Sequence, residues 1–292
     1  MNFDLEPRHI ELQRRMRRFC ETEIIPHAQG NDLKETFHWD LVPALRKMGL
    51  FGIPFPKKYG GQALDAVSLC LILEELGRCD AGVALTIESH NGLCTNHIFM
   101  NGNEEQREKY LPRLTCGQAL GAWALTEPQA GSDAASLKTR AVFDGQYWTL
   151  NGSKTFTTQG SVAGVYVVFA QSSDTASGGR GLTAFVMEKG TPGLSIGKIE
   201  KKMGIRCSDT AQLHLHDVKL TSDHVVGKVG RAFRDAMRIL DGGRVAISGI
   251  SVGIARGALE EGLKWVKPRQ KEYGIRPDSA GLTAAQKTLA QI

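Results

Sequence analysis

Leu125-Thr126-Glu127-Pro128-Gln129-Ala130-Gly131-Ser132-Asp133 places a hydroxyl, a carboxylate and two nearly side-chain-free positions on one turn, directly after an apolar strand-like run. Ala130 and Gly131 let backbone N–H groups approach a flat or anionic ligand. Pro128 fixes one dihedral, and Thr126 and Ser132 can each donate and accept a hydrogen bond. A second patch, Asn151-Gly152-Ser153-Lys154-Thr155-Phe156-Thr157-Thr158-Gln159-Gly160, sets an aromatic beside two hydroxyls. Either patch alone is equally well a hairpin turn or a solvated loop, because short motifs match by chance. Their occurrence together, in this order, carries the weight.

The surrounding chain divides by periodicity. From Pro7 to about Cys116, apolar residues recur three and four apart, as at Val67, Cys70, Leu71 and Leu76, between loops such as Gly52 to Gly61. This predicts a helical domain over residues 1–116. Within it, Asn103-Glu104-Glu105-Gln106 reads as a capping-box start for a helix running to Leu114. Over 117–224 the period becomes two, in Tyr147–Leu150, Val165–Phe169, Thr183–Met187 and Leu213–His216, which predicts a mostly antiparallel β-domain. Ser172 to Gly181, rich in Ser and Gly, predicts a mobile loop. Over 225–292 the helical pattern returns through Trp265, and a last piece aligns Leu282, Ala285, Leu289 and Ile292 in one apolar stripe with no cap after it. The expected fold class is α+β: a helical domain, a β-domain, and a C-terminal helical domain that is incomplete.

At 292 residues and 41% hydrophobic the chain can build more than one core, since single cores split beyond about 250 residues. A net charge of +5 suits an anionic small ligand such as a nucleotide pyrophosphate, and no basic tract interleaved with aromatics points to nucleic acid. The six cysteines, at 20, 70, 79, 94, 116 and 207, form no Cys-x-x-Cys pair, which argues against a zinc site or disulfide framework and for a reducing cytoplasm. No apolar run approaches the roughly eighteen residues of a membrane span. Arg14-Arg15-Met16-Arg17-Arg18 is flanked by Glu6, Glu11, Glu21 and Glu23, so it reads as a polar helix face rather than a transit peptide.

Other motifs lose to plainer readings. Gly249-Ile250-Ser251-Val252-Gly253 matches the serine-hydrolase elbow but lies in a helical stretch, where Gly249, Gly253 and Gly257 form a smooth ridge for close helix packing. His214 and His216 share a strand face without a third metal ligand. His90 and His97 lack the His-Glu-x-x-His pattern, and His90 reads as pocket lining or a helix cap. There is no dinucleotide-binding glycine turn and no phosphate-loop lysine. Asp241 and Arg244, three apart on a helix, can hold each other while one meets a ligand.

The two patches, with Leu240-Asp241-Gly242-Gly243-Arg244, Lys202-Met203-Gly204-Ile205-Arg206 and Ser208-Asp209-Thr210, resemble the acyl-CoA dehydrogenase family. The resemblance runs from the N-terminus to about Gly274 and is densest from Asn103 onward. It implies a flavoprotein, usually tetrameric, with FAD held between the β-domain and the last helices. The implied cofactor contacts are Trp123, Leu125, Thr126, Gly131, Ser132, Phe156, Thr157, Thr158 and Arg269, with Thr126 bonding the flavin ring, Phe156 packing on it and Thr158 approaching its N5. Ser132, Asp241 and Arg244 are the implied substrate contacts, the last two on the CoA part. The Lys202–Thr210 segment is assigned to domain packing.

The implied reaction removes a proton from the α-carbon of an acyl-CoA thioester and a hydride from the β-carbon, with electron-transferring flavoprotein or a similar acceptor downstream. Much of this chemistry is the cofactor's. The protein supplies a general base and hydrogen bonds to the thioester carbonyl. Most relatives place a glutamate base near the end of the last helical domain, past the segment this sequence contains, and a minority place it just before the arginine, where this chain has Gly243. From Tyr273 to Ile292 the one carboxylate is Asp278, in a turn, so no base is assigned. The family's Arg-x-Gln-Phe-Gly becomes Arg269-Gln270-Lys271-Glu272-Tyr273-Gly274, with Pro268 entering a helix at a cost of roughly 3 kcal/mol, and the usual adenine-contacting Gln falls at Thr283. Two other readings stand beside the enzyme: a non-catalytic relative that binds acyl-CoA or a partner, and a flavin oxidase or monooxygenase of the same fold.

Overall fold

A computed structural model of the chain describes residues 3–173 and 181–269. Most of the expected loop from Ser172 to Gly181 lies outside them, as do Asp278, Thr283 and the stripe from Leu282 to Ile292.

The first part is helical: α1 (Pro7–Phe19), α2 (Ile25–Lys34), α3 (Val42–Lys47), α4 (Ala66–Cys79), α5 (Ala81–Glu88), α6 (Asn96–Asn101) and α7 (Glu104–Thr115). Local chemistry sets the helix ends. Pro7 occupies the first turn of α1, where a missing N–H costs nothing. Asp80 ends α4 in an extended conformation and caps α5, accepting from the backbone of Gly82 at 2.8 Å and Val83 at 3.2 Å. The capping box is present, with reciprocal Asn103 and Gln106 bonds of 2.8 and 3.1 Å, and its helix extends to Thr115. Between α5 and α6 the chain widens into a π-helical stretch, Ser89–Thr95, a distortion that gathers at functional sites.

Eight strands make one sheet: β1 (Gly121–Ala124), β2 (Arg140–Phe143), β3 (Trp148–Thr158), β4 (Val165–Gln171), β5 (Leu182–Glu188), β6 (Leu194–Ile199), β7 (Thr210–Leu220) and β8 (Val225–Val226). The order is β6-β7-β3-β2-β4-β5-β8, with β1 also paired to β4. The sheet is mostly antiparallel, as expected, and mixed only where β4 runs parallel to β1 and meets β2 in a parallel bridge. The whole β2–β3 hairpin separates β1 from β4 and is long enough to return the chain in the same direction.

β4 and β5 are buried on both faces. One face, with Val165, Val167, Phe169, Ala184 and Val186, packs on Tyr110 and Leu114 of α7 and on Ala232, Ala236 and Ile239 of the long helix α8 (Ala232–Val266). The other, with Tyr166, Val168, Phe185 and Met187, packs on Leu213, Leu215 and Val218 of β7. Strands covered on both sides read as continuous apolar runs, as these do. Further along α8, Ala246 and Ile250 join Leu73, Leu76 and Ile87 in the helical core. One helix therefore serves both cores, changing partners between Leu240 and Ile247.

The glycine ridge holds α8 against α4. A Cβ at Gly253 would stand 2.2 Å from the Glu74 carbonyl oxygen, and one at Gly257 would stand 2.3 Å from that of Arg78. Ser251 sits mid-helix with its hydroxyl on Ile247 O at 2.9 Å, so the hydrolase elbow geometry is not formed. Along the same seam the buried Glu75 meets Arg17, Arg78 and Arg256 at 3.0, 3.1 and 3.3 Å, which compensates its charge. Gly253→Ala is expected to push the helices apart and lower unfolding free energy by about 1–3 kcal/mol in urea titration. An unchanged midpoint would contradict this packing.

The Lys202–Thr210 segment joins the sheet to the helices: Arg206 donates from its backbone and its Nε to Asp32, both at 2.9 Å, and the Cys207 thiol lies 3.5 Å from Asp80. His214 and His216 are exposed, and no group of three metal-ligating side chains occurs among the described residues. Nor is any described helix long and apolar enough to cross a membrane. His90 acts at a helix end, the C-terminus of α7. Gly121 N–H donates to its Nδ1 at 3.0 Å, so Nε2 carries the proton and donates to Leu114 O at 3.1 Å, tying β1 to α7. Burial pushes its pKa down to about 4, and it stays neutral.

Candidate active site

The two patches read from the sequence meet in space. Thr155 N–H donates to Thr126 O at 2.9 Å, and the Lys154 ammonium donates to Leu125 O at 3.2 Å. Lys154 also pairs with Glu127 at 2.7 Å, both side chains essentially buried. Glu127 accepts further bonds from the backbone N–H groups of Lys138 and Thr139 at 2.7 and 3.0 Å and from the Gln129 amide at 2.6 Å. A tight turn closed by Glu127 and Ala130 completes the loop. The carboxylate and the lysine thus fix the loop from inside, while Thr126 stays partly open to its surroundings.

On the facing strand, a bulge between Lys154 and Thr157 changes which side chains point inward. Phe156 is held there at a φ of 52°, a conformation costly for an aromatic, and it is 63% exposed. Strain of this kind persists where the surrounding structure imposes it, and it presents a bare ring next to the open hydroxyl of Thr158. The buried Thr157 Oγ1 and Trp123 Nε1 have no hydrogen-bond partner among the described residues.

Thr158 opens into a cleft of about 340 Å³ at the place where α8 changes partners. Leu85, Leu93, Leu240 and Ile247 make its apolar walls, and Arg244 stands on it, ion-paired with Asp241 and well exposed. Glu88, the last residue of α5, lines the same cleft and is only 3% exposed. Its Oε1 has no partner among the described residues, and burial pushes the carboxyl up to about 7. Two glycines make room for it. A Cβ at Gly92, in the π-helical stretch, would stand 2.5 Å from that oxygen, and one at Gly243, on α8, 3.4 Å.

The expected residues are therefore partly assembled. Trp123, Leu125, Thr126, Phe156, Thr157 and Thr158 gather at the joined ends of β1 and β3, and Thr158 shares the cleft with Arg244. Gly131 and Ser132 lie exposed on the loop, and Asp241 is outside the cleft lining. Arg269 ends a short turn after α8, Lys267–Arg269, and its side chain lies outside what the structure describes. Sequence reasoning missed Glu88 and the Glu127–Lys154 pair. A carboxylate closing the otherwise apolar run Ala81–Ile87 was the available signal for Glu88.

Comparison with known proteins places this geometry. Residues 6–118 match the family model described as acyl-CoA dehydrogenase, N-terminal domain, and residues 122–218 that of the middle domain. A short-chain-specific acyl-CoA dehydrogenase of Clostridium acetobutylicum is 42% identical over 94% of this chain and 72% of its own length. A chain solved in work on the electron transferring flavoprotein of Acidaminococcus fermentans and flavin-based electron bifurcation superposes with a TM-score of 0.91 at 38% identity, covering 100% of this chain and 76% of that one. An acyl-CoA dehydrogenase of Bacillus anthracis solved with FAD superposes at 0.87 with 33% identity, over 99% of this chain and 48% of that one. With helices, mixed sheet and closing helix in the same arrangement as these oxidoreductases, this chain belongs to the acyl-CoA dehydrogenase family.

Proposed function

We propose that the chain is an FAD-dependent dehydrogenase that desaturates the α,β-bond of an acyl-CoA thioester. One observation carries the reading: the joined ends of β1 and β3 open, through Thr158, into an apolar cleft bordered by the basic Arg244. The residues present suit a flavin. Trp123 and Thr157 hold buried polar atoms without partners among the described residues, Phe156 offers an exposed ring, and a Cβ built on Gly131 would meet nothing within 4 Å among them, so the loop leaves its backbone open to a ligand. Thr126, Phe156 and Thr158 would hold the ring system, with Trp123, Leu125, Thr157, Gly131, Ser132 and Arg269 as further cofactor contacts. Bound there, FAD supplies the two-electron acceptor for a hydride.

The acyl chain lies between the leucines of the cleft, and the CoA part lies toward Ser132, Asp241 and Arg244. The short-chain specificity of the Clostridium relative supports a short acyl group. Electron-transferring flavoprotein or a similar acceptor reoxidises the cofactor, in keeping with the flavin-bifurcation neighbour. A cytoplasmic tetramer, built from units 1–116, 117–224 and 225–292, completes the reading. Its test is a visible spectrum. Purified protein, or protein reconstituted with FAD and freed of excess, is expected to show a bound-flavin absorbance; a colourless protein after reconstitution overturns the reading.

A further inference from the structure

Two neighbouring residues break the apolar helical wall of the cleft beside Thr158. Glu88 ends α5 and Ser89 opens the π-helical stretch, and both line the cleft while only 3% and 2% exposed. Among the described residues, neither Glu88 Oε1 nor Ser89 Oγ has a hydrogen-bond partner. The rest of that wall is Leu85, Leu93, Leu240, Gly243 and Ile247, with Arg244 exposed and held by Asp241. Buried polar atoms are nearly always paired, so two unpaired ones on adjacent residues call for a partner that enters the cleft. We propose that Glu88 and Ser89 select acyl groups whose far end carries a hydroxyl, an inference that rests on the dehydrogenase reading above.

With the reacting carbons at Thr158, on the flavin side, the remainder of the acyl group runs against the helical wall that holds the pair. One hydroxyl there satisfies both atoms, donating to the carboxyl and accepting from the serine. Burial pushes Glu88 up to about 7, so both of its forms are populated near neutrality. A hydroxyl suits either form, since it donates to the carboxylate and accepts from the acid. A methyl end leaves both atoms unpaired, and a second carboxylate sets two like charges in an apolar cleft. Gly92 and Gly243 keep the space around the carboxyl open, because a Cβ at those positions would stand 2.5 and 3.4 Å from Oε1.

The test compares acyl-CoAs of equal size that differ by a hydroxyl in place of a methyl: γ-hydroxybutyryl-CoA against pentanoyl-CoA, and δ-hydroxypentanoyl-CoA against hexanoyl-CoA. In FAD-loaded protein, kcat/KM from anaerobic loss of flavin absorbance is expected to favour the hydroxyl member of at least one pair by about 10–100-fold. Calorimetric affinity is expected to move the same way. Glu88→Leu is expected to invert the preference, raising kcat/KM for the methyl member while lowering it for the hydroxyl member, a split that a merely structural role would not produce. Glu88→Gln keeps a hydrogen-bonding end and is expected to retain most of the preference. Equal or lower kcat/KM for the hydroxyl member of both pairs in wild type, or a hydroxyl preference that survives in Glu88→Leu, overturns the inference and leaves the dehydrogenase reading intact. If no acyl-CoA of either kind reduces the flavin, that reading falls and this inference falls with it.

Discussion

Lys154→Met is expected to lower the unfolding free energy by about 3–5 kcal/mol, because it strands the Glu127 carboxylate in a site closed to water. Lys154 is 0% and Glu127 3% exposed. Burial pushes the ammonium down to about 8 against the opposing pull of Glu127. For Glu127 burial acts upward, but the Lys154 charge and the hydrogen bonds outweigh it, and the carboxyl is held below its usual range. Without the lysine that balance reverses. The backbone bonds from Lys138 and Thr139 remain, yet the loop loses both the counter-charge and the tether to Leu125 O. Thr126 is then expected to shift, and with it the proposed affinity for FAD to fall. The double variant Glu127→Gln/Lys154→Met removes both charges and is expected to recover most of the loss. Urea unfolding of the three proteins decides the matter, and a single variant within about 1 kcal/mol of wild type would show that the pair does not hold the loop.

Glu88→Gln is expected to stabilise the chain at neutral and alkaline pH. Below about pH 4.5 the carboxyl is protonated in both folded and unfolded chains and carries no penalty. As pH rises from about 4.5 to about 7 the unfolded chain releases a proton that the folded chain retains, so wild-type stability declines across that window. Above about 7 the loss levels off at roughly 3 kcal/mol. The amide does not titrate, so the gap between E88Q and wild type should open over the same window. Thermal melts between pH 4 and pH 8 test this, and parallel curves for the two proteins would contradict a buried, ionising Glu88.

What the sequence revealed was local in origin. The capping box at Asn103, the β-branched and aromatic run Val165–Phe169 and the glycine ridge at Gly249–Gly257 each depend on neighbours within a few positions, and each recurs in the fold. The parallel pairing of β1 with β4 did not show, because strand direction depends on the excursion between them. In the sequence alone nothing sets Glu88 apart from an ordinary helix-end carboxylate. Its character comes from Gly92, one turn on, and from Gly243, more than 150 residues away, and only the folded chain brings the latter alongside. Lys154 likewise reads as a solvated strand residue until the Thr155–Thr126 bond closes the loop over it. The backbone partners of His90, Gly121 and Leu114, are likewise distant in sequence, so which helix end it closes shows only in the fold.

The central claim is that this cleft dehydrogenates an acyl-CoA. Anaerobic addition of a short-chain acyl-CoA to the FAD-loaded protein, followed by absorbance, tests it most directly. Bleaching of the flavin with formation of the enoyl-CoA is the predicted result; a bound flavin left unbleached by acyl-CoAs of every chain length would contradict it.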